Sequence, residues 1–394
     1  MDIVIVSQYL RDIEYFNNNN SRFVYLAKML LQHSENKVEI ITSDFNHSTK
    51  KHFISVGVFP GVKVSALHES GYPKNVCLKR FISHKQLAKN IGKYLKIRQK
   101  PDICYCVVPS LDVADTVARY CKKNQVRFII DIQDLWPEAF KMVFHIPILS
   151  DLIFAPMKKK ANRIYRLADE IVAVSKTYAE RAIKVNGKCK NPTVVYLGTE
   201  KASFDEYAKN SVEKYNGITV VYVGSMSASY DLKSVIDAIS KIKDVSIKLL
   251  AMGDGALKTS FINYAKEKNV SAEFTGKLTY PKMVERLLLC DIAVNPIRKG
   301  SAGSIINKVG DYAMAGLPVV NTQESQEYRD LLTRYQAGIN CECENVEEIA
   351  SALNKLIFDS KLRIEMSHNS RKLGVEHFDR KNTYQKIVDI ILFS

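Results

Sequence analysis

The stretch from Asn295 to Asn321, reading NPIRKGSAGSIINKVGDYAMAGLPVVN, constrains the fold more than any other part of the chain. It opens as a buried strand ends (Asp291 to Asn295), passes through a polar, basic loop, and forms a short helix over about 307–315. Gly316, just past the last apolar turn, suits a left-handed helix end, and Pro318 forbids continuation. Val319 and Val320 begin another buried strand. Strand, polar loop, helix and strand in this order are how an open α/β sheet presents a ligand at its carboxyl edge. The loop offers backbone N–H groups together with Arg298, Lys299 and Lys308, and the polar Ser301 and Asn307, which suit an anionic diphosphate. Asp311 lies one turn beyond Lys308, so both can face one ligand, with the carboxylate free to accept two sugar hydroxyls. A capped amphipathic helix with a solvated Lys and Asp fits the same spacing.

The pattern recurs along the chain. Strands are expected at Val4–Ser7, Lys37–Thr42, Val62–Leu67, Ile103–Val108, Phe128–Asp131, Glu170–Val174 and Thr193–Tyr196, with helices between most of them. After a polar stretch at 199–217 the alternation restarts at Ile218–Val223. Alternation without internal repeats implies parallel sheets covered on both faces. With 394 residues, the expectation is two doubly wound Rossmann-like domains, 1–198 and 218–376, joined by a linker at 199–217. A last helix, Phe378–Leu392, closes the chain. Gly253-Asp-Gly255 lacks the third glycine of a dinucleotide fingerprint, which argues against NAD.

Composition narrows the partners. The net charge of +15 favours anionic ones. Between Glu69 and Asp102 there is no acid, but Lys74, Lys79, Arg80, Lys85, Lys89, Lys93, Lys96, Arg98 and Lys100 all occur. Leu78, Phe81, Ile82, Ala88, Ile91 and Leu95 fall near one helical face, so 74–100 reads either as a membrane-surface helix or as a packed helix with a basic outer side. Leu149–Ala168 is a second basic amphipathic segment. Nucleic acid would explain the charge and nothing else. No basic n-region precedes the first strand and no apolar run reaches spanning length. The eight cysteines form no C-x-x-C pair and read as reduced thiols, and the histidines are scattered without metal spacing.

The segment NKVGDYAMAGLPVV resembles the nucleotide-sugar-binding segment of retaining glycosyltransferases of the GT-B fold, family 4. Many members carry two glutamates there, with seven residues between them. The second falls on Asp311, which the resemblance makes the ribose ligand; the first falls on Gly303, which has no carboxylate. Asp131-Ile-Gln-Asp-Leu-Trp-Pro-Glu138 is similar to another segment of the same family, and Asp134 and Glu138 can take an acceptor hydroxyl's proton. A helix cap with an Arg partner fits them equally. The carboxylates and the indole of Trp136 read as too polar for a core.

The resemblance implies two domains facing across a cleft, with the last helix, 377–394, crossing back to the first. It also implies donor contacts at Gly224, Ser225 and Met226, where an Arg and a Lys are usual and Ser225 and Tyr230 stand here. Lys277 falls in the turn that lies against the base. Asn18, Asn19 and Ser21 replace a glycine-rich turn facing the acceptor, and Ser21 can cap the following helix. The implied reaction is retaining transfer from a nucleotide sugar, UDP- or GDP-linked, to a lipid-linked or saccharide acceptor in bacterial surface-polysaccharide synthesis. It would occur in the cytoplasm at the inner membrane face, with no cofactor. No D-x-D occurs, so no metal is expected, and Lys308 would stabilise the leaving group. A nucleotide-sugar 2-epimerase of the same fold, or a non-catalytic partner subunit with a decayed donor site, remain alternatives.

Overall fold

The computed structural model describes residues 1–10, 13–14, 21–33, 35–75, 77–143, 147–207, 215–301 and 304–393. The chain forms two compact units, Met1–Val195 with Tyr384–Ser394, and Tyr196–Thr383.

In the first unit, β1 (Asp2–Val6), β2 (Lys37–Ser43), β3 (Phe45–Asn46), β4 (Lys51–His52), β5 (Val62–Leu67), β6 (Ile103–Val108), β7 (Arg127–Ile132), β8 (Glu170–Ala173) and β9 (Thr193–Val194) follow in chain order. Seven of them form one sheet in the order β5-β2-β1-β6-β7-β8-β9, and every pairing in it is parallel. β3 and β4 form a separate antiparallel hairpin. The central strands are buried along their whole length, as helices on both faces require: Ile3 to Val6 and all of β6, Cys104 and Cys106 included. The helix Gln385–Phe393 completes this core through Ile387, Val388 and Ile391. Arg127 holds its end by donating to the carbonyls of Ile390 and Ile391. The single helix expected over 378–392 is instead a short helical turn at Arg380–Thr383 and then Gln385–Phe393, preceded by a wide π turn that ends at Phe378.

One expectation fails at β7. Asp131 is fully buried and Trp136 is 5% exposed, so these two belong to the core despite their polarity, while Asp134 and Glu138 remain partly exposed. Arg22, also buried, resolves the conflict. Its Nε lies 2.8 Å from Asp131 Oδ2, Tyr105 donates to the same oxygen at 2.8 Å, and the guanidinium covers the Tyr384 ring at 4.7 Å. A buried pair so satisfied is retained; removing one partner typically costs about 3–5 kcal/mol.

In the second unit, β10 (Ile218–Val223), β11 (Ile247–Met252), β12 (Ala272–Gly276), β13 (Ile292–Asn295), β14 (Val319–Asn321) and β15 (Gly338–Asn340) form a parallel sheet. Their order is β12-β11-β10-β13-β14-β15. Strand order reverses between β10 and β13, and the carboxyl ends at such a switch point are where open α/β sheets bind ligands. Two of the stretches singled out in the sequence, Gly224–Met226 and 296–301, leave the sheet there.

The helix Leu78–Ile97 buries the carboxyl half of its expected apolar face, Ala88, Ile91 and Leu95, but not the amino-terminal half. Arg80, Ser83, His84, Leu87, Ala88, Ile91 and Leu95 are buried. Leu78 and Ile82 are 81% and 63% exposed, and Phe81 packs against Phe140. The amino-terminal half of this helix lies on polar aromatic groups rather than on apolar core, which is why Arg80 and His84 turn inward.

Candidate functional site

Three turns meet at the carboxyl edge of the second sheet. Gly224 N–H donates to Met252 O at 2.9 Å, Gly253 N–H to Gly276 O at 3.0 Å, and Met226 N–H to Asp254 O at 2.8 Å. The approach is too close for side chains. A Cβ on Gly253, whose φ is +146°, would fall 1.9 Å from Gly224 O, and one on Gly255 would fall 2.3 Å from Met226 O. The two glycines dismissed as a dinucleotide fingerprint therefore shape this edge.

The 296–301 loop is fastened beside it. Asp231 N–H donates to Pro296 O, and Arg298 N–H to Ser229 O. Beneath the loop a buried amide ladder sets its height: Asn295 Nδ2 to Asn321 Oδ1 at 2.8 Å, and Asn321 Nδ2 to Asn340 Oδ1 at 2.9 Å. Arg298 is about half exposed, 3.9 Å from Asp231.

Lys308 opens the helix Lys308–Met314. Its Nζ is buried without a hydrogen-bond partner, 4.0 Å from the centroid of the Tyr222 ring and 4.2 Å from that of Tyr230. It lies 3.4 Å from where a Gly224 Cβ would be. Burial drives its ammonium well below the ordinary lysine range. Tyr222 is itself fixed by donating to Ser225 O at 2.5 Å, and Tyr312 by accepting Val223 N–H at 2.7 Å. Tyr230 thus stands where the resemblance expects a cation, and the cation reaches the same turn from another element.

Asp311, half-buried, accepts from Tyr280 Oη at 2.7 Å, and Tyr280 Oη lies 2.5 Å from Thr199 Oγ1. Burial raises the Asp311 carboxyl to about 6, against the opposing pull of Tyr280 and Arg380. Its second oxygen has no partner among the described residues, so one acceptor is free. Neither Tyr280 nor Thr199 carried any signal in the sequence.

The remaining expected donor residues divide. Ser225 and Lys277 are exposed at the sheet edge, Ser301 is half-buried and Asn307 exposed. Asn307 already has helical dihedrals and its side chain caps nothing. Met226 offers no contact: its side chain is fully buried in the core, its N–H is taken by Asp254 and its carbonyl by Leu257. Gly303, Asn18 and Asn19 lie outside the described residues.

The first unit gathers polar aromatic groups at its own carboxyl edge. Arg80 covers the Trp136 ring at 4.8 Å and donates to Tyr9 Oη at 3.1 Å, while His84 stacks on Trp136 at 5.9 Å. Burial, with Arg80 close by, pushes His84 down to about 3, and burial pushes Glu69 up to about 7. Gln8 donates to Glu69 at 2.7 Å. Asp134 accepts from Leu135 N–H and Trp136 Nε1, with its pKa raised by burial. Glu138 accepts from Arg181 at 2.5 Å, and its Oε2 is buried without a partner. Glu138 opens the helix Glu138–Val143 with an Arg partner, whereas Asp134 lies before it and accepts within its own turn. Ser21 caps the helix Arg22–Leu31 by accepting Phe23 N–H at 3.3 Å. The histidines are not all scattered: Asp44, His52 and His68 place ligand atoms within 4.8 Å of one another.

Known structures share this architecture. Sucrose-phosphate synthase from Thermosynechococcus elongatus superposes with a TM-score of 0.74 at 12% identity, over 99% of this chain and 98% of that one. The fold is GT-B. Anabaena HepE in complex with UDP-glucose gives 0.68 at 14% identity, over 99% of each chain. WaaG, a glycosyltransferase of lipopolysaccharide biosynthesis, gives 0.67 at 14%, over all of both. The "Glycosyl transferases group 1" family model matches residues 203–373, most of the second unit. No curated protein matches the sequence.

Proposed function

We propose that this chain transfers a sugar from a UDP- or GDP-linked donor to a lipid-linked or saccharide acceptor with retention, using no catalytic metal, in surface-polysaccharide synthesis. Lys308 carries the reading. An ammonium buried without a hydrogen bond is expensive, and two tyrosine faces compensate only in part. A diphosphate lying over the Gly224 turn would give it a counter-charge, with Arg298 able to swing in from its exposed position. Asp311, one turn on, would hold a ribose hydroxyl with its free oxygen. Charge on the leaving diphosphate grows as the glycosidic bond breaks, so Lys308 would act mainly in the transition state. The UDP-glucose complex of HepE, a structure of the same fold, supports a nucleotide-sugar ligand.

The acceptor would meet the first unit. Lys79, Lys85, Lys89, Lys93 and Lys96 are exposed on Leu78–Ile97 beside the bare Leu78 and Ile82. Leu152 and Ile153, exposed on the helix Pro147–Leu167, add a second apolar edge near Lys158 and Lys159. Among the described residues no helix is long and apolar enough to cross a membrane. Lysines flanking exposed Leu and Ile suit peripheral binding to an anionic bilayer, at the cytoplasmic face where nucleotide sugars are made available.

A thermal-shift screen of nucleotide sugars, followed by product analysis with acceptor, tests the proposal. A stabilising UDP- or GDP-sugar that yields nucleoside diphosphate and a new glycoside supports it. An epimerised nucleotide sugar, or nucleotide binding without turnover, would replace it with one of the two alternatives.

A further inference from the structure

We propose that Asp44, His52 and His68 form a binding site for one divalent transition-metal ion of the zinc class, on the first unit and separate from any residue assigned to the donor. Topology brings the three together. Asp44 and His68 are the first residues past β2 and β5, and those strands run in parallel register with Ser43 opposite Leu67. Their side chains therefore leave neighbouring strand ends side by side. His52 arrives on β4, opposite Phe45 of β3, so the hairpin folds it back over the same edge.

The geometry is convergent. His68 Nδ1 lies 2.8 Å from Asp44 Oδ2, and His52 Nδ1 lies 3.2 Å from Asp44 Oδ1. The two imidazoles stack at 5.4 Å and 20°, so their Nδ1 edges point at one carboxylate. Metal–ligand bonds of about 2.0–2.2 Å in a tetrahedron put ligand atoms roughly 3.3–3.5 Å apart. The carboxylate–imidazole spacings are close to that, and all three ligand atoms lie within 4.8 Å of one another. Neutral imidazole and carboxylate together suit zinc, cobalt and nickel rather than calcium or magnesium. On binding, each imidazole passes the Nδ1 proton it shares with the carboxylate through water to Nε2 and gives the freed Nδ1 lone pair to the metal, while the carboxylate exchanges two donors for the ion.

Outer contacts hold the ligands in place, as metal sites require. Glu69 N–H donates to Asp44 Oδ1 at 3.0 Å. Asn90 donates to the His68 carbonyl at 2.8 Å, and the Phe45 ring meets His52 edge-on at 5.3 Å. Both imidazoles are substantially exposed, which leaves a fourth position open to water. The ion would clasp the β3–β4 hairpin to the sheet edge, closing a loop whose ends are 24 residues apart in sequence.

The test is titration of the chelator-stripped full chain, thiols blocked, with Co(II) followed by Zn(II). One Co(II) per chain should give tetrahedral visible bands that Zn(II) abolishes, and Zn(II) should raise the melting temperature. His52→Ala and His68→Ala should each weaken Zn(II) binding at least tenfold and remove that rise. Should either variant fail to fold by circular dichroism, His52→Gln and Asp44→Asn serve instead. Undiminished binding in folded variants, or no ion bound at micromolar Zn(II), overturns the proposal.

Discussion

Replacing Asp311 by Asn should stabilise the protein while weakening nucleotide binding, and the stabilisation should depend on pH in a defined sense. Burial raises the Asp311 carboxyl from 3.8 to about 6. A shift of about two units corresponds to roughly 3 kcal/mol, at 1.36 kcal/mol per unit. The folded pKa lies above the unfolded one, so between about pH 4 and 6 the folded state holds the proton more tightly. Below pH 4 Asp311 costs nothing; through that window stability falls as pH rises; above it the full cost of the buried carboxylate is present. Asparagine keeps an acceptor for Tyr280 and carries no charge. Asp311→Asn should then match wild type near pH 4 and exceed it by about 2–3 kcal/mol at pH 8. Chemical denaturation across that range, followed by circular dichroism, measures the difference. A gap that does not change with pH, or a variant less stable than wild type at pH 8, would refute the reasoning. In the same variant, nucleotide affinity should drop by about 1.5–3 kcal/mol, the range for a hydrogen bond to a charged group.

Three further outcomes are expected. Lys308→Ala should depress turnover more than donor binding, measured as separate kcat and Kd; equal losses would make Lys308 a tether only. Activity should survive EDTA; activity lost there and restored by magnesium or manganese would place a metal on the diphosphate. Cosedimentation should favour anionic over neutral vesicles and weaken with salt, and reversing Lys85, Lys89, Lys93 and Lys96 to Glu should abolish it without affecting donor hydrolysis; equal wild-type binding to both vesicle types would leave these lysines as a solvated face.

The central strands of the two parallel sheets were readable because they are short apolar runs bounded by turn residues, with no alternation to misread; the polar β3–β4 hairpin, with Lys51 and His52 exposed, was not. The Lys308-to-Asp311 spacing and the left-handed Gly316, at φ +69°, were readable for the same local reason. What escaped reading depends on distant residues. Lys308 is caged by Tyr222 and Tyr230 from another strand end, Asp311 is held by Tyr280, and Asp131 is paired with Arg22 across 109 positions. Helix spacing misassigned Leu78 and Ile82 because periodicity weighs only apolarity. The partners of Arg80 and His84, Tyr9 and Trp136, decide which face turns inward.

That Lys308 meets the donor diphosphate is tested most directly by calorimetric titration of UDP and GDP into wild type and Lys308→Met at pH 8. Two buffers of different ionisation enthalpy report the protons exchanged on binding. With its ammonium depressed by burial, Lys308 should take up a proton when the diphosphate arrives, so wild-type binding should show proton uptake and the variant weaker binding with none. Equal affinity and equal proton uptake in the two proteins would contradict it.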